Sequence, residues 1–370
     1  MTQESGATAS GPLAGLRVIE FAGIGPGPFA CMLLSDLGAE VVRIDRPDAK
    51  LGDRSDIVGR GRQTVLLDLK DARDVARALD LLAEADVLVE GFRPGVMERI
   101  GLGPDVVAKS NPRLVYGRMT GWGQDGPLAT SAGHDINYIS ITGALAAIGE
   151  PGGAPVPPLN LVGDYGGGSL YLVVGILSAV FEAQRSGHGQ VVDAAICDGA
   201  VSLMSLFHMQ LARGTHREAR GSNVLDGGAP YYTVYETADR QFVSIGPIEP
   251  KFFGLLCEKL GVPEALRDAQ NDRERWPELR DAFRKIFKTR TRDAWCEELD
   301  GTDVCFAPVL SLSESASHPH LESRNAFVVV DGVRQPAPAP RFSRTPGAIR
   351  GPAPRHAADI EAVLHGWKNG

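Results

Sequence analysis

Cysteine is scarce. Five residues, Cys31, Cys197, Cys257, Cys296 and Cys305, are scattered over 370 positions, odd in number and without a CxxC pair. That excludes a disulfide framework and a patterned zinc site, and it suits reduced thiols in the cytoplasm. Histidine is sparse too, and the pair His318 and His320 in "HPH" has no further ligands patterned around it, so it reads as surface. Positive charge is in deficit: 38 Lys and Arg face 46 Asp and Glu, a net charge of -8. A nucleic-acid partner, bound by neutralising phosphates, is thereby disfavoured. The opening "MTQESGATASGPLAG" has neither a basic n-region nor an apolar h-region, so no secretory signal is expected. The final "WKNG" is not an SKL address. The longest uncharged apolar stretch, "GGGSLYLVVGILSAVF", stops at Glu182; it is short for a membrane span and predicts a buried helix. No internal repeat is present.

What is there is ordinary globular material, 43% hydrophobic and 23% charged, long enough for about two domains. "LRVIEFA" (16–22), "AEVVRID" (39–45), "QTVLLDL" (63–69), "ADVLVEGF" (85–92) and "RLVYGRM" (113–119) read as strands. "PFACMLLSDLG", opened by Pro28 and closed by Gly38, and "DARDVARALDLLAEA" read as helices among them. This alternation predicts an α/β fold with a parallel, doubly wound sheet, which binds ligands beyond the carboxyl ends of its strands. Two long apolar helices, "GGGSLYLVVGILSAVFEAQRSG" and "DGAVSLMSLFHMQLARG", flank a strand "QVVDAAI". The glycine-rich "ARGSNVLDGGAPYY" (219–232) then marks a hinge. Beyond it a smaller α+β unit is expected. It holds a hairpin of "YYTVYET" and "QFVSIGP", helices near 250–260 and 276–299, and a strand "VCFAPVL" (304–310). "RQPAPAPRFSRTPGAIRGPAPRH" is proline-rich and predicts an extended surface segment before a short helix, "DIEAVLHGW".

Several stretches could carry chemistry. "FAGIGPGPFA" (21–30) sits where a dinucleotide loop would, and Asp45 ends the second strand where a ribose-binding acid would. But Gly23, Gly25 and Gly27 are spaced GxGxG, and Pro28 removes a helix-start amide. A tight strand-to-helix turn is the better reading. Arg43, Arg46, Arg54, Arg60, Arg62, Arg93 and Arg99 cluster in the same half. Arg46, Arg60 and Arg93 fall in loops or after strands, where guanidinium groups would meet the phosphates of a small polyanionic ligand. In "LVGDYGGGSLYLVVG" (161–175), Asp164 precedes three glycines, more than a helix cap needs, which favours close approach of a ligand. In "AGHDINYIS" (132–140), His134 and Asp135 could be a half-buried histidine and an N-cap, or chemistry. Glu249 in "GPIEPKF" opens a helix and by itself reads as a capping acid.

Taken in order, "GLRVIEFAGIGPGPFACMLLSDLGAEVVRIDRP", "EGFRPGVMERIGLG", "YGRMTGWGQDGP", "GHDINY", "NLVGDYGGGS" and "LDGGAPYYTVYETADRQFVSIGPIEPKF" resemble the family III CoA transferases (CaiB/BaiF), from about residue 12 to 345. The histidine of "GHD" resembles the branch of that family that racemises 2-methylacyl-CoA thioesters; transferases usually carry an aromatic residue there. The resemblance implies proton transfer by His134 and Asp164, with Glu249 hydrogen-bonding the histidine and Asp135 orienting beside it. It implies CoA contacts at Ile24, Arg46, Arg60, Leu67, Arg93, Arg99, Gly133 and Tyr138. No cofactor is implied beyond the CoA of the substrate. It further implies a Rossmann-like large domain of residues 1–218 and 312–370, a 219–224 linker, and a small domain of 225–311. The partner implied is a second copy of the chain, in an interlocked homodimer that shares its active sites. A transferase using Asp164 as nucleophile, and a CoA-binding protein without turnover, remain the alternatives.

Overall fold

The computed structural model describes residues 11–369. They divide into two compact units: one of 11–143, 158–205 and 324–369, the other of 144–157 and 206–323. The smaller unit thus takes in 144–157, 206–218 and 312–323, which the sequence reading had placed in the large domain.

The large unit is built on six parallel strands in the order β3-β2-β1-β4-β5-β6. They are β1 (Arg17–Phe21), β2 (Glu40–Asp45), β3 (Arg62–Leu66), β4 (Val87–Glu90), β5 (Val115–Thr120) and β6 (Val191–Ala195). The helices α1 (Pro26–Asp36), α2 (Ala72–Ala83), α3 (Val96–Arg99), α4 (Pro104–Ser110), α5 (Asp135–Ser140), α6 (Leu170–Ser186) and α7 (Ile196–Leu203) lie between and after them. Strand side chains alternate between faces, and both faces are apolar because both are covered. Val18, aligned with Val41 and Val87, packs with Ala30, Leu34, Leu172 and Ile176. Ile19, aligned with Val42 and Leu88, faces the other way, onto Leu81 and Leu82.

Some elements differ from expectation. α1 starts at Pro26, two residues early, because Gly25 takes the N-cap position at φ 72°. The second long apolar helix is interrupted at Met204, giving α7 and a separate helix, Ser205–Ala212. The run 161–186 is continuous and, by length and composition alone, long and apolar enough to cross a membrane. It is buried on one side only: Leu172, Ile176 and Ala179 are in the core, while Val174 and Phe181 are each 63% exposed.

In the smaller unit β7 (Thr233–Glu236), β8 (Phe242–Ile245) and β9 (Phe306–Val309) pair antiparallel. They carry α8 (Pro250–Lys259), α9 (Trp276–Phe287) and α10 (Arg292–Leu299). The single helix expected over 276–299 is two, because the Thr291 hydroxyl accepts from Ala294 N–H and starts a new helix. Tyr235, Phe283, Phe287 and Trp295 form its aromatic core.

The chain then returns to the large unit. A hairpin of β10 (Phe327–Val330) and β11 (Val333–Pro336) leads into the proline-rich segment. That segment is extended, as expected, but it is tied down: Gly61 N–H donates to Gly351 O, and Ala348 N–H to Asp36 O. α11 (Ile360–Asn369) ends the fold, with Ile360, Val363, Leu364 and Trp367 in the same core as Ile19 and Leu88.

Candidate active site

Strand order reverses between β1 and β4, where open α/β sheets characteristically bind ligands. There the loop after β1, the loop after β4 and the long 121–134 loop after β5 enclose a cavity of about 750 Å³. His134, Asp135 and Asp164 all line it, with Arg93, Gly133 and Tyr138. Two groups thirty residues apart in sequence thus line one cavity.

Asp164 lies inside a wide, π-helical turn, Leu161–Ser169, that runs straight into α6. Such turns are uncommon and frequently mark functional positions. Asp135 Oδ1 accepts the Asp164 N–H at 2.7 Å, so one acid holds the backbone of the other. The β1 loop closes on the same carboxylate: a Cβ built on Gly25 would lie 3.2 Å from Asp164 Oδ2, and φ 72° there already favours glycine. Burial and, second, the Asp135 charge push the Asp164 carboxyl above its ordinary range; a hydrogen bond from Asn160 and the nearby His134 pull the other way. An acid so placed holds its proton more readily than a free one.

The glycines after Asp164 serve packing, contrary to the ligand-approach expectation. A Cβ on Gly167 would meet Ala200 N at 2.8 Å, and one on Gly199 would meet Gly167 O at 1.9 Å. They let α7 lie directly on the π-helical turn.

His134 is exposed on the cavity wall. It, not Asp135, is the N-cap of α5, and its N–H donates to Asn137 Oδ1 at 3.0 Å. The segment leading to it wraps Tyr138. The Tyr138 hydroxyl donates to Gly133 O, and its ring meets Trp122 edge-on at 4.8 Å. A Cβ on Gly121 or Gly133 would strike that ring at 1.9 or 2.7 Å. Tyr138 therefore spends its hydroxyl on the loop, and its ring supplies the wall.

The remaining expected contacts separate. Arg93 lines the cavity, and Ile24 stands on its rim, 83% exposed. Arg46 and Arg99 are exposed outside the lining. Arg60 does not fit a ligand role. It is 2% exposed, its guanidinium forks onto Asp36 at 2.5 and 3.1 Å, and it donates to Gln335 and Pro336 O. Leu67 likewise packs its side chain in the core, 2% exposed. Asp45, the supposed ribose acid, is engaged by Arg43 at 2.7 Å. Glu249, in the smaller unit, is the exposed N-cap of α8.

Sequence reasoning passed over Trp122, Asn137 and Asn160. The first was legible as the aromatic two residues past a strand end in "TGWGQ", the second as the N3 partner of a capping box. Asn160 carried no signal that one sequence reveals.

Against known proteins, the model of CoA-transferase family III matches residues 13–360. The chain is 44% identical over 337 residues to an alpha-methylacyl-CoA racemase of Mus musculus, covering 90% of this chain and 87% of that one. The racemase of that name from Homo sapiens is 43% identical over the same coverage. An acetyl-CoA:oxalate CoA-transferase of Acetobacter aceti is 33% identical over 91% of this chain and 90% of its own. Among solved structures, a CaiB/BaiF family protein from Brucella suis superposes with a TM-score of 0.82 at 28% identity, covering 96% of this chain and all of that one.

Proposed function

The chain belongs to CoA-transferase family III, and from that premise we propose that it inverts C2 of 2-methyl-branched acyl-CoA thioesters. The observation that carries the reading is that His134, Asp164 and Arg93 all line one cavity. The 44% and 43% identity to proteins named alpha-methylacyl-CoA racemase supports it.

Inversion beside a thioester carbonyl needs a proton taken from one face of C2 and another delivered to the opposite face. The two electrons of the broken C–H bond pass into an enolate. Asp164, as carboxylate, takes the proton of the R substrate; His134, as imidazolium, gives one to the other face, and the S substrate runs the sequence in reverse. Each turnover leaves the pair with its proton exchanged between partners. The Asp135 N–H, which opens α5 at the cavity, faces the enolate oxygen. Arg93, with Arg46 and Arg99 beyond the lining, meets the CoA phosphates.

The reading includes a second copy of the chain. Leu170, Val174 and Phe181 follow one another along one face of α6 and are 50%, 63% and 63% exposed, an apolar stripe that a partner would cover. In that dimer, Glu249 of the partner subunit fixes the His134 tautomer.

The test is deuterium incorporation at C2 in deuterated water, from either enantiomer, with inversion. A protein that exchanges no C2 hydrogen overturns the proposal. CoA transfer through an Asp164 anhydride is the second reading, favoured by the identity to an oxalate CoA-transferase. It predicts an Asp164 adduct trapped by hydroxylamine and indifference to His134→Ala.

A further inference from the structure

Ser169 closes the motif that carries Asp164, and nothing so far has given it work. It is fully buried, yet its hydroxyl lies 2.7 Å from Pro26 O and 3.1 Å from Asp164 O. One O–H therefore spans two segments, the start of α1 and the wide turn that presents the acid. Five residues separate Ser169 from Asp164, the spacing of a π-helical turn, so this contact fits the wide turn and would not fit a regular α-helix.

Two further contacts join the same two segments. Tyr165 stacks on Phe29 with centroids 4.0 Å apart and planes 9° from parallel. Gly25 lies against the Asp164 carboxylate, as described above. The start of α1 is itself anchored from the sheet: Arg62 donates to Pro28 O and faces the buried Glu20 at 2.9 Å. His134 is held by Asn137 and the Tyr138–Gly133 contact, with which Ser169 shares no partner; its segment reaches Asp164 through the Asp135 carboxylate, a hydrogen bond in which Ser169 takes no part.

We propose that Ser169 is a positioning residue for Asp164, fixing the acid against the start of α1 through contacts that do not touch His134. The inference rests on the racemase reading and refines it. The Ser169 contacts bear on the acid and not on the imidazole, so loosening them harms proton abstraction from one enantiomer more than from the other. Overall interconversion cannot show this, because its forward and reverse efficiencies are tied by the equilibrium constant. Exchange with return to the same face can.

The experiment measures initial C2 deuterium incorporation into the recovered, uninverted enantiomer, starting from R and from S 2-methylacyl-CoA, using the full chain and its Ser169→Ala variant. A misplaced acid is expected to lower incorporation from R about tenfold or more, with incorporation from S within about threefold, and to move the pH profile of the R exchange alone. Phe29→Leu removes the ring stack without touching a polar group. It is expected to move the R-to-S ratio in the same direction by a smaller factor, and it carries the test if Ser169→Ala does not fold. An unchanged ratio in the folded variants overturns the inference while leaving racemisation intact. Absence of exchange from either enantiomer in the unmodified protein overturns the racemase reading, and this inference with it.

Discussion

Arg60, Arg62 and Arg118 are 2%, 7% and 7% exposed, whereas Arg46, Arg93 and Arg99 stand in solvent. The enclosed three each face a buried carboxylate: Asp36 at 2.5 Å, Glu20 at 2.9 Å and Glu90 at 2.9 Å. Asp164 is partly buried as well, but its charged neighbours are another acid and an imidazole, with no guanidinium. Burial pushes the Asp36, Glu20 and Glu90 carboxyls up, but in each case the facing guanidinium pulls the other way and ties the acid into the fold. Asp164 is pushed up by burial and by a second acid, with only an amide and an imidazole to pull it back.

The sharpest way to break this contrast is at the site itself. Asp164→Asn and His134→Ala should each lower C2 inversion by about 10²–10⁴-fold with the fold retained, measured by chiral analysis of the product beside a thermal melt. Arg60→Met should do the reverse. Leaving Asp36 buried without its cation is expected to cost about 3–5 kcal/mol in urea unfolding, with turnover per folded molecule unchanged. The pair Arg60→Met with Asp36→Leu should recover most of that loss; if the single variant is as stable as the parent, the holding role is wrong. Arg93→Ala tests the open class. It should raise KM for acyl-CoA roughly tenfold without moving Tm. The smallest effect concerns pH. Because folding raises the Asp164 pKa above 3.8, the unfolded chain gives up this proton first, and stability is lost as pH rises from there through the folded value. Asp164→Asn should therefore melt slightly higher than the parent at neutral pH, with the advantage vanishing as pH falls toward 3.8.

The strands of the sheet were legible because they are short apolar runs set apart, except between β2 and β3, by helical stretches. The GxGxG loop was rightly read as a turn, since Pro26 and Pro28 take its first helical positions. Arg60 was not legible. Its loop position after a glycine is what a phosphate ligand would also show, and its partner Gln335 lies 275 residues away. The glycine triplet misled for a related reason: room for a ligand and room for a helix make the same demand on a Cβ. Ser169 escaped notice because a buried hydroxyl declares its use only through what surrounds it.

The last helix closes the large unit over a long reach of chain. Trp367 reaches Glu40 at 3.0 Å and shares a core with Ile19 and Leu88. The core under the first strands is thus completed by a segment 327 residues away along the chain. The core of the smaller unit, drawn from residues 229–304, closes on neighbours in sequence, so removing α11 should loosen the large unit and spare the smaller one.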